Sequence, residues 1–159
     1  MPVVDLPLET LHKQEEDCVL PKFDADVAWK LGTLLREKSL EYSRPVAINI
    51  STPSGQTLFH TLTKPGASLD NDGWIARKRK VVVRFNRASF YMGCKARAEG
   101  KSISSFGLDE KEYAFHGGGF PIRVQSVEPI VAIVVVSGLR QDQDHGLVVE
   151  ALTQLKKEL

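Results

Sequence analysis

The residues of this chain best suited to chemistry gather in two places. Residues 71–85 read NDGWIARKRKVVVRF and hold five of the 21 basic residues, Arg77, Lys78, Arg79, Lys80 and Arg84, with no acid after Asp72. Residues 116–119 read HGGG. Clustered cations hold an anion through charge-assisted hydrogen bonds. A glycine run lets the backbone pass close to a ligand or another chain, an approach that side chains would block. The basic stretch reads as a core helix with a solvated or salt-bridged strip or, together with the glycine run, as a pocket for a small anionic molecule. Its candidate ligand-binding residues are Asn71, Trp74, Arg77, Lys78, Arg84, His116, Gly117, Gly118, Gly119 and Phe120.

Other chemistries lack their parts. HGGG runs supply oxyanion donors in esterases, but the partner motif G-x-S-x-G is absent. The two Ser-Gly steps, Ser54-Gly55 and Ser137-Gly138, fall in a hairpin turn and at a strand end. No phosphate-binding or dinucleotide-binding glycine fingerprint occurs. His12, His60, His116 and His145 are scattered without zinc spacing. His60 shares a strand face with Leu58 and Leu62 and reads as a core-edge histidine, whereas His116 adjoins the glycines. Cys18 and Cys94 have neither metal spacing nor the pattern of a disulfide framework, which suits a reducing compartment. No nucleophile, acid–base pair or metal cluster is visible, so the sequence leans away from an enzyme and assigns no catalytic or metal-binding residue.

Charge narrows the partners. The formal net charge is +1, so no global field favours nucleic acid or an anionic membrane. The charges are nevertheless segregated. Residues 1–26 carry seven acids against Lys13 and Lys22, and residues 74–98 carry eight bases and no acid. A fold that brings these segments together would neutralise itself. ARKRK mimics a nuclear-import patch, yet Val81 to Phe85 continue it into apolar sequence. The first 17 residues lack the basic and apolar regions of a signal peptide. The longest apolar run, Ile130 to Val136, is about a third of a membrane span. A cytoplasmic protein without membrane insertion is expected.

The elements that position these residues follow from periodicity. Leu6 to Glu16 is a weak acidic helix, and Asp17 to Leu20 reads as a short strand. Asp24 is a good N-cap for a helix with Val27, Leu31, Leu34 and Leu35 on one face, ending near Tyr42 before Pro45. Val46 to Ser51 and Thr57 to Thr63, joined by Pro-Ser-Gly, form a hairpin. A long helix, entered at Asp70-Asn71-Asp72, runs to about Ala98. Ile122 to Val127 and Ile130 to Val136 form a second strand pair, the latter apolar on both faces and so central. A closing helix opens at Asp142 or Asp144 and buries Leu147, Val148, Ala151, Leu152 and Leu155. This order predicts one α+β domain over residues 1–159, an antiparallel sheet flanked by helices.

On a single helix, Trp74, Val81, Phe85, Ala88 and Met92 share one face, and Arg77, Lys80, Arg84, Arg87, Tyr91 and Lys95 adjoin it. Val83, Phe90 and Cys94 fall beyond the cations as a second apolar patch. That patch should pack against something other than the sheet.

NDGWIARKRKVVVRF, RASFYMG, HGGGFPIRV, VVVSGL and the Asp144-His145 pair resemble a bacterial and fungal protein family related to the heme-degrading, GlcG-like and PduO C-terminal-like domains. The resemblance covers nearly the whole chain, and N-D-x-W-I-x-R-K, R-x-S-F-Y-M-G and G-G-G-F-P-I together carry it. It implies a profilin-like α/β/α domain and self-assembly as dimers or larger rings, which makes Val83, Phe90 and Cys94 the candidate oligomer interface. It makes heme a candidate cofactor, with His116, His60, His145, Cys94, Met92 or a tyrosine open as iron ligand. Fungal relatives link the family to tail-anchored membrane protein delivery. An adaptor that presents its acidic N-terminus to protein partners is therefore the alternative to a ligand-binding oligomer, and a heme-degrading enzyme is the weaker one.

Overall fold

The computed structural model describes residues 4–159; the first three residues of the N-terminal segment lie outside the described residues. The elements are α1 (Leu8–Asp17), α2 (Ala25–Ser39), β1 (Ala47–Ser51), β2 (Thr57–Leu62), α3 (Leu69–Phe85), α4 (Ser89–Ala98), β3 (Gly119–Ile122), β4 (Ala132–Ser137) and α5 (Gln141–Glu158), with a 3-10 turn at Ile103–Phe106. The four strands form an antiparallel sheet in the order β2-β1-β4-β3. The expected α+β class is observed.

Strand alternation sorts the core into two layers. Ile48, Ile50, Val134 and Val136 pack with Leu31 and Leu35 of α2 and Val148, Leu152 and Leu155 of α5. Ala47, Ile133 and Val135 point the other way, onto Ile75 and Val82 of α3. Every residue of β4 is buried, as expected for an inner strand apolar on both sides. Asp24 caps α2, its carboxylate accepting from Val27 N at 2.9 Å.

Four expectations are corrected. The predicted helix from residue 70 to residue 98 is two helices. Asn86 ends α3 in the left-handed conformation (φ 61°), and α4 restarts at Ser89. An asparagine side chain tolerates that conformation better than most. The true N-cap of α3 is Ser68, and Asn71 closes the capping box by accepting from Ser68 N at 3.1 Å. The third strand runs over Gly119–Ile122 rather than residues 122–127, and of the strand expected at Asp17–Leu20, Asp17 ends α1 and Leu20 makes only an isolated bridge to Val124.

The helix break disposes of the second apolar patch. Phe90 and Cys94 are 0% and 3% exposed, covered by Leu11 of α1 together with Leu6 and Leu8 of the same chain. They present no face to a neighbouring subunit. Val83, on α3, is 42% exposed and stands apart from them.

The segregated charges do meet. Arg97 pairs with Asp5 at 2.8 Å, and Arg87 lies 3.8 Å from Glu15 while stacking on Tyr91. Lys80 pairs with Glu112, and Arg79 donates to Ser51 Oγ and to the carbonyls of Thr52 and Pro53. Four of the eight bases of residues 74–98, Lys78, Lys80, Arg87 and Arg97, pair with acids of the same chain.

Candidate functional site

Asn71, Trp74, Arg77 and Lys78 sit at positions i, i+3, i+6 and i+7 of α3, so one helix face carries all four. Trp74 meets His116 edge-on, with ring centroids 4.7 Å apart, and the Arg77 guanidinium lies 3.9 Å above the indole. This Arg77–Trp74–His116 stack separates two clefts.

The first cleft, of about 550 Å³, lies between α3, α4 and the segment before β3. Trp74, Ile103, Tyr113 and Phe115 give it apolar and aromatic walls; Arg77, Arg97, Lys101 and Lys111 bring four cations against one acid, Glu110. Arg97 and Lys101 are also engaged by Asp5 and Glu99. His116 keeps an exposed edge, yet partial burial lowers its pKa below the ordinary histidine value, and the charges of Lys78, Arg77 and Arg97 lower it further. Its imidazole is therefore neutral at physiological pH and offers a lone pair.

The second cleft, of about 480 Å³, is polar. It is lined by Arg44, Asp70, Asn71, Ser137, Gln141, Lys78 and Asp144 beside the shared Trp74 and His116. Lys78 and Asp144 are both almost fully buried, with Nζ 3.1 Å from Oδ2. Lys78 also donates to the carbonyl of Val136 at 3.0 Å, and Asp144 accepts from Gly138 N and Leu139 N at 3.3 and 3.0 Å. Burial pushes the Asp144 carboxyl up to about 6, against the pull of Lys78, and lowers the Lys78 ammonium.

The sequence-predicted set is thus only partly assembled. Asn71, Trp74, Arg77, Lys78 and His116 converge. Arg84 is exposed on α3, its guanidinium 6.0 Å from the Phe85 ring, and lines neither cleft. Gly117, Gly118, Gly119 and Phe120 are buried and line neither cleft. The close approach that the glycines permit is to the protein itself. Gly118 has φ +129°, and a Cβ there would stand 2.1 Å from the Val136 carbonyl oxygen and 2.9 Å from Lys78 Nζ. Gly117 N donates to Gln141 Oε1, Gly119 N donates to Ser89 Oγ, and the Gly118 carbonyl accepts from Val136 N. The run is a seam between β4, α4 and α5.

His60 lies at the sheet edge, next to Asn49 Nδ2 (3.2 Å) and Asp72 (3.6 Å). His145 is 2% exposed between Phe90 and Phe120, with Nε2 2.7 Å from Gln14 Oε1. Neither His60 nor His145 lines the two clefts. Sequence reasoning missed Arg44, Arg97, Lys101, Tyr113, Phe115, Gln141 and Asp144 as lining residues. Only Asp144 had a signal, an acid that the fold must bring to one of the eight bases.

A family model described as "Haem degrading protein HbpS-like" matches residues 23–153. The chain belongs to the HbpS-like family. Within it the chain is similar to UPF0303 proteins. It is 43% identical over 155 residues to one of Saccharomyces cerevisiae, covering 96% of this chain and 86% of that one. It is 50% identical over 143 residues to one of Streptomyces coelicolor, covering 89% of each. The crystal structure of the Ybr137w protein superposes with a TM-score of 0.90 at 42% identity, covering 95% of this chain and 90% of that one. A structure described as a PduOC:heme complex shares the fold, with a TM-score of 0.65 at 17% identity over 86% of this chain and 95% of that one. HbpS-like architecture is the α+β arrangement described above.

Proposed function

We propose that this HbpS-like domain binds a flat, anionic aromatic ligand in the first cleft, with heme as the class that fits best. The observation that carries the proposal is the pairing of aromatic walls with a cationic rim beside a neutral, accessible imidazole. A volume of about 550 Å³ lies within the roughly 300–1,000 Å³ range of small-molecule sites. Arg77, Lys101 and Lys111 suit propionate groups, and His116 suits iron. Bound heme would supply redox-active iron to the site; Trp74, Tyr113 and Phe115 would enclose it, Arg77, Lys101 and Lys111 would pair with its carboxylates, and the His116 imidazole would hold the iron. The family description and the heme-bound structural neighbour support the same class.

Titration of the purified protein with hemin tests this. The Soret band shifts with saturation at micromolar protein, and His116→Ala changes the position of the band. Combined Arg77→Ala and Lys101→Ala replacements weaken binding about tenfold or more. An unchanged spectrum at micromolar protein would overturn the reading.

The reading includes self-association. Trp29 is 63% exposed and packs on Phe59 of β2, and Leu62 on the same strand is 47% exposed. They flank β2, an edge strand with one strand neighbour among the described residues. Light scattering after size exclusion gives the subunit number; a strictly monomeric profile counts against this part. The buried, unpaired Cys18 and Cys94 fit the reducing cytoplasm. Among the described residues no helix is long and apolar enough to cross a membrane.

A further inference from the structure

We infer that the second cleft is a covalent-capture site in which Lys78 condenses with the carbonyl of a small oxo monocarboxylate whose carboxylate pairs with Arg44. The second cleft shares Trp74, His116 and Gln141 with the first, but Lys78, Asp144 and Arg44, which carry this chemistry, do not line the first cleft.

Three features point to it. Lys78 Nζ has two partners, the Val136 carbonyl and Asp144 Oδ2, which leaves a third position on the nitrogen without a partner among the described residues. The residue lines a cleft, although it is only 2% exposed. Asp144 is fixed beside the amine by Gly138 N and Leu139 N, so a proton acceptor stands 3.1 Å from the nitrogen at the base of a polar cavity. Burial lowers the Lys78 pKa against the opposing charge of Asp144, which enlarges the fraction of free amine.

The rim sets the ligand class. Arg44 is exposed at the mouth and makes no hydrogen bond or ion pair among the described residues, which leaves its guanidinium open to a carboxylate. Asp70 lines the same cleft and repels a second carboxylate, so monocarboxylic oxo acids are favoured over dicarboxylic ones. Asn71, Ser137 and Gln141 supply neutral hydrogen-bonding groups between the two ends.

The chemistry balances without an added oxidant or reductant. The Lys78 nitrogen forms a bond to the carbonyl carbon as the carbonyl π pair moves to oxygen. A proton leaves nitrogen for Asp144 and passes on to that oxygen. The second nitrogen proton follows as the C–O bond breaks, so one water departs and a C=N bond remains.

Incubation of the full chain with pyruvate and sodium cyanoborohydride, followed by peptide mass mapping, reads the site directly. The peptide containing Lys78 gains the mass of pyruvic acid less one oxygen atom, saturably and ahead of the exposed lysines. Arg44→Gln lowers labelling about tenfold at subsaturating pyruvate and leaves labelling by uncharged dihydroxyacetone unchanged. 2-Oxoglutarate labels more slowly than pyruvate. Because Lys78→Met strands Asp144 and risks unfolding, the wild-type mapping carries the test. Adducts spread over exposed lysines with Lys78 unmodified would overturn the site. Equal loss of pyruvate and dihydroxyacetone labelling in Arg44→Gln would overturn the oxo-acid class.

Discussion

Replacing His145 by glutamine should remove a large part of the acid sensitivity of the fold. The imidazole is 2% exposed, lies between Phe90 and Phe120 with centroids 4.9 and 5.9 Å away, and has no partner for Nδ1 among the described residues. Burial alone lowers its pKa from 6.5 to about 4. The unfolded chain therefore takes a proton at this residue well before the folded one does. Between those two values the unfolded state binds more protons, so stability rises with pH there and is lost as pH falls from 6.5 towards 4. Each pKa unit is about 1.4 kcal/mol, so the full loss is about 3 kcal/mol at the lower limit. A glutamine amide can still donate to Gln14 Oε1, now 2.7 Å from Nε2, but it does not titrate in this range. Urea unfolding at a series of pH values gives the comparison. From about pH 7.5 to about pH 4.5 the wild type should lose roughly 2–3 kcal/mol more than His145→Gln. Because the comparison is of slopes, any packing cost of the substitution at neutral pH cancels. Parallel losses in the two proteins would refute the assignment of a buried, neutral imidazole.

Other outcomes follow from the buried pair and the glycine seam. Lys78→Met should cost about 3–5 kcal/mol in urea unfolding, since Asp144 is left buried without its cation, and Lys78→Met with Asp144→Leu should recover most of it. Gly118→Ala should cost more than about 3 kcal/mol, because the new methyl would meet the Val136 carbonyl oxygen at 2.1 Å on a backbone with φ +129°; a melting temperature within a few degrees of wild type would contradict this. Asp24→Ala should cost about 1 kcal/mol through loss of the Val27 N–H acceptor, read by the same unfolding curves.

Periodicity made the elements of the sheet core legible. The apolar run that becomes β4 and the leucine face of α2 each pointed to a burial pattern that the structure has; β1 alternates in sequence, yet Ala47 and Ser51 are buried as well as Ile48 and Ile50, because helices cover both faces of the sheet. The helix break was not legible, because RFNRAS contains neither glycine nor proline; what stops α3 is an asparagine in a left-handed turn. That missed turn moved Phe90 and Cys94 off the wheel on which Val83 lies, and so produced an apolar face that does not exist. The HGGG run misled for another reason. A sequence shows that backbone must come close to something, but not to what, and here the neighbour is β4. Trp74, Arg77, Lys78 and His116 were found because three share a helix face and one borders the glycines. Gln141 and Arg97 come from elements far away in sequence, and no spacing rule joins them to α3.

The sheet order also dictates when this protein can become itself. β1 and β2 are joined by a tight turn and can pair as soon as both leave the ribosome, yet the other edge of β1 waits for β4, whose pairing runs from Ala47–Ser137 to Ser51–Ile133. Until about residue 137 has emerged, a nascent hairpin carries Ile48 and Ile50 with no β4 beside them and an open strand edge besides. Assembly of the central strands is thus deferred until β4 has been made, and until then the apolar residues of the hairpin lack their partner strand.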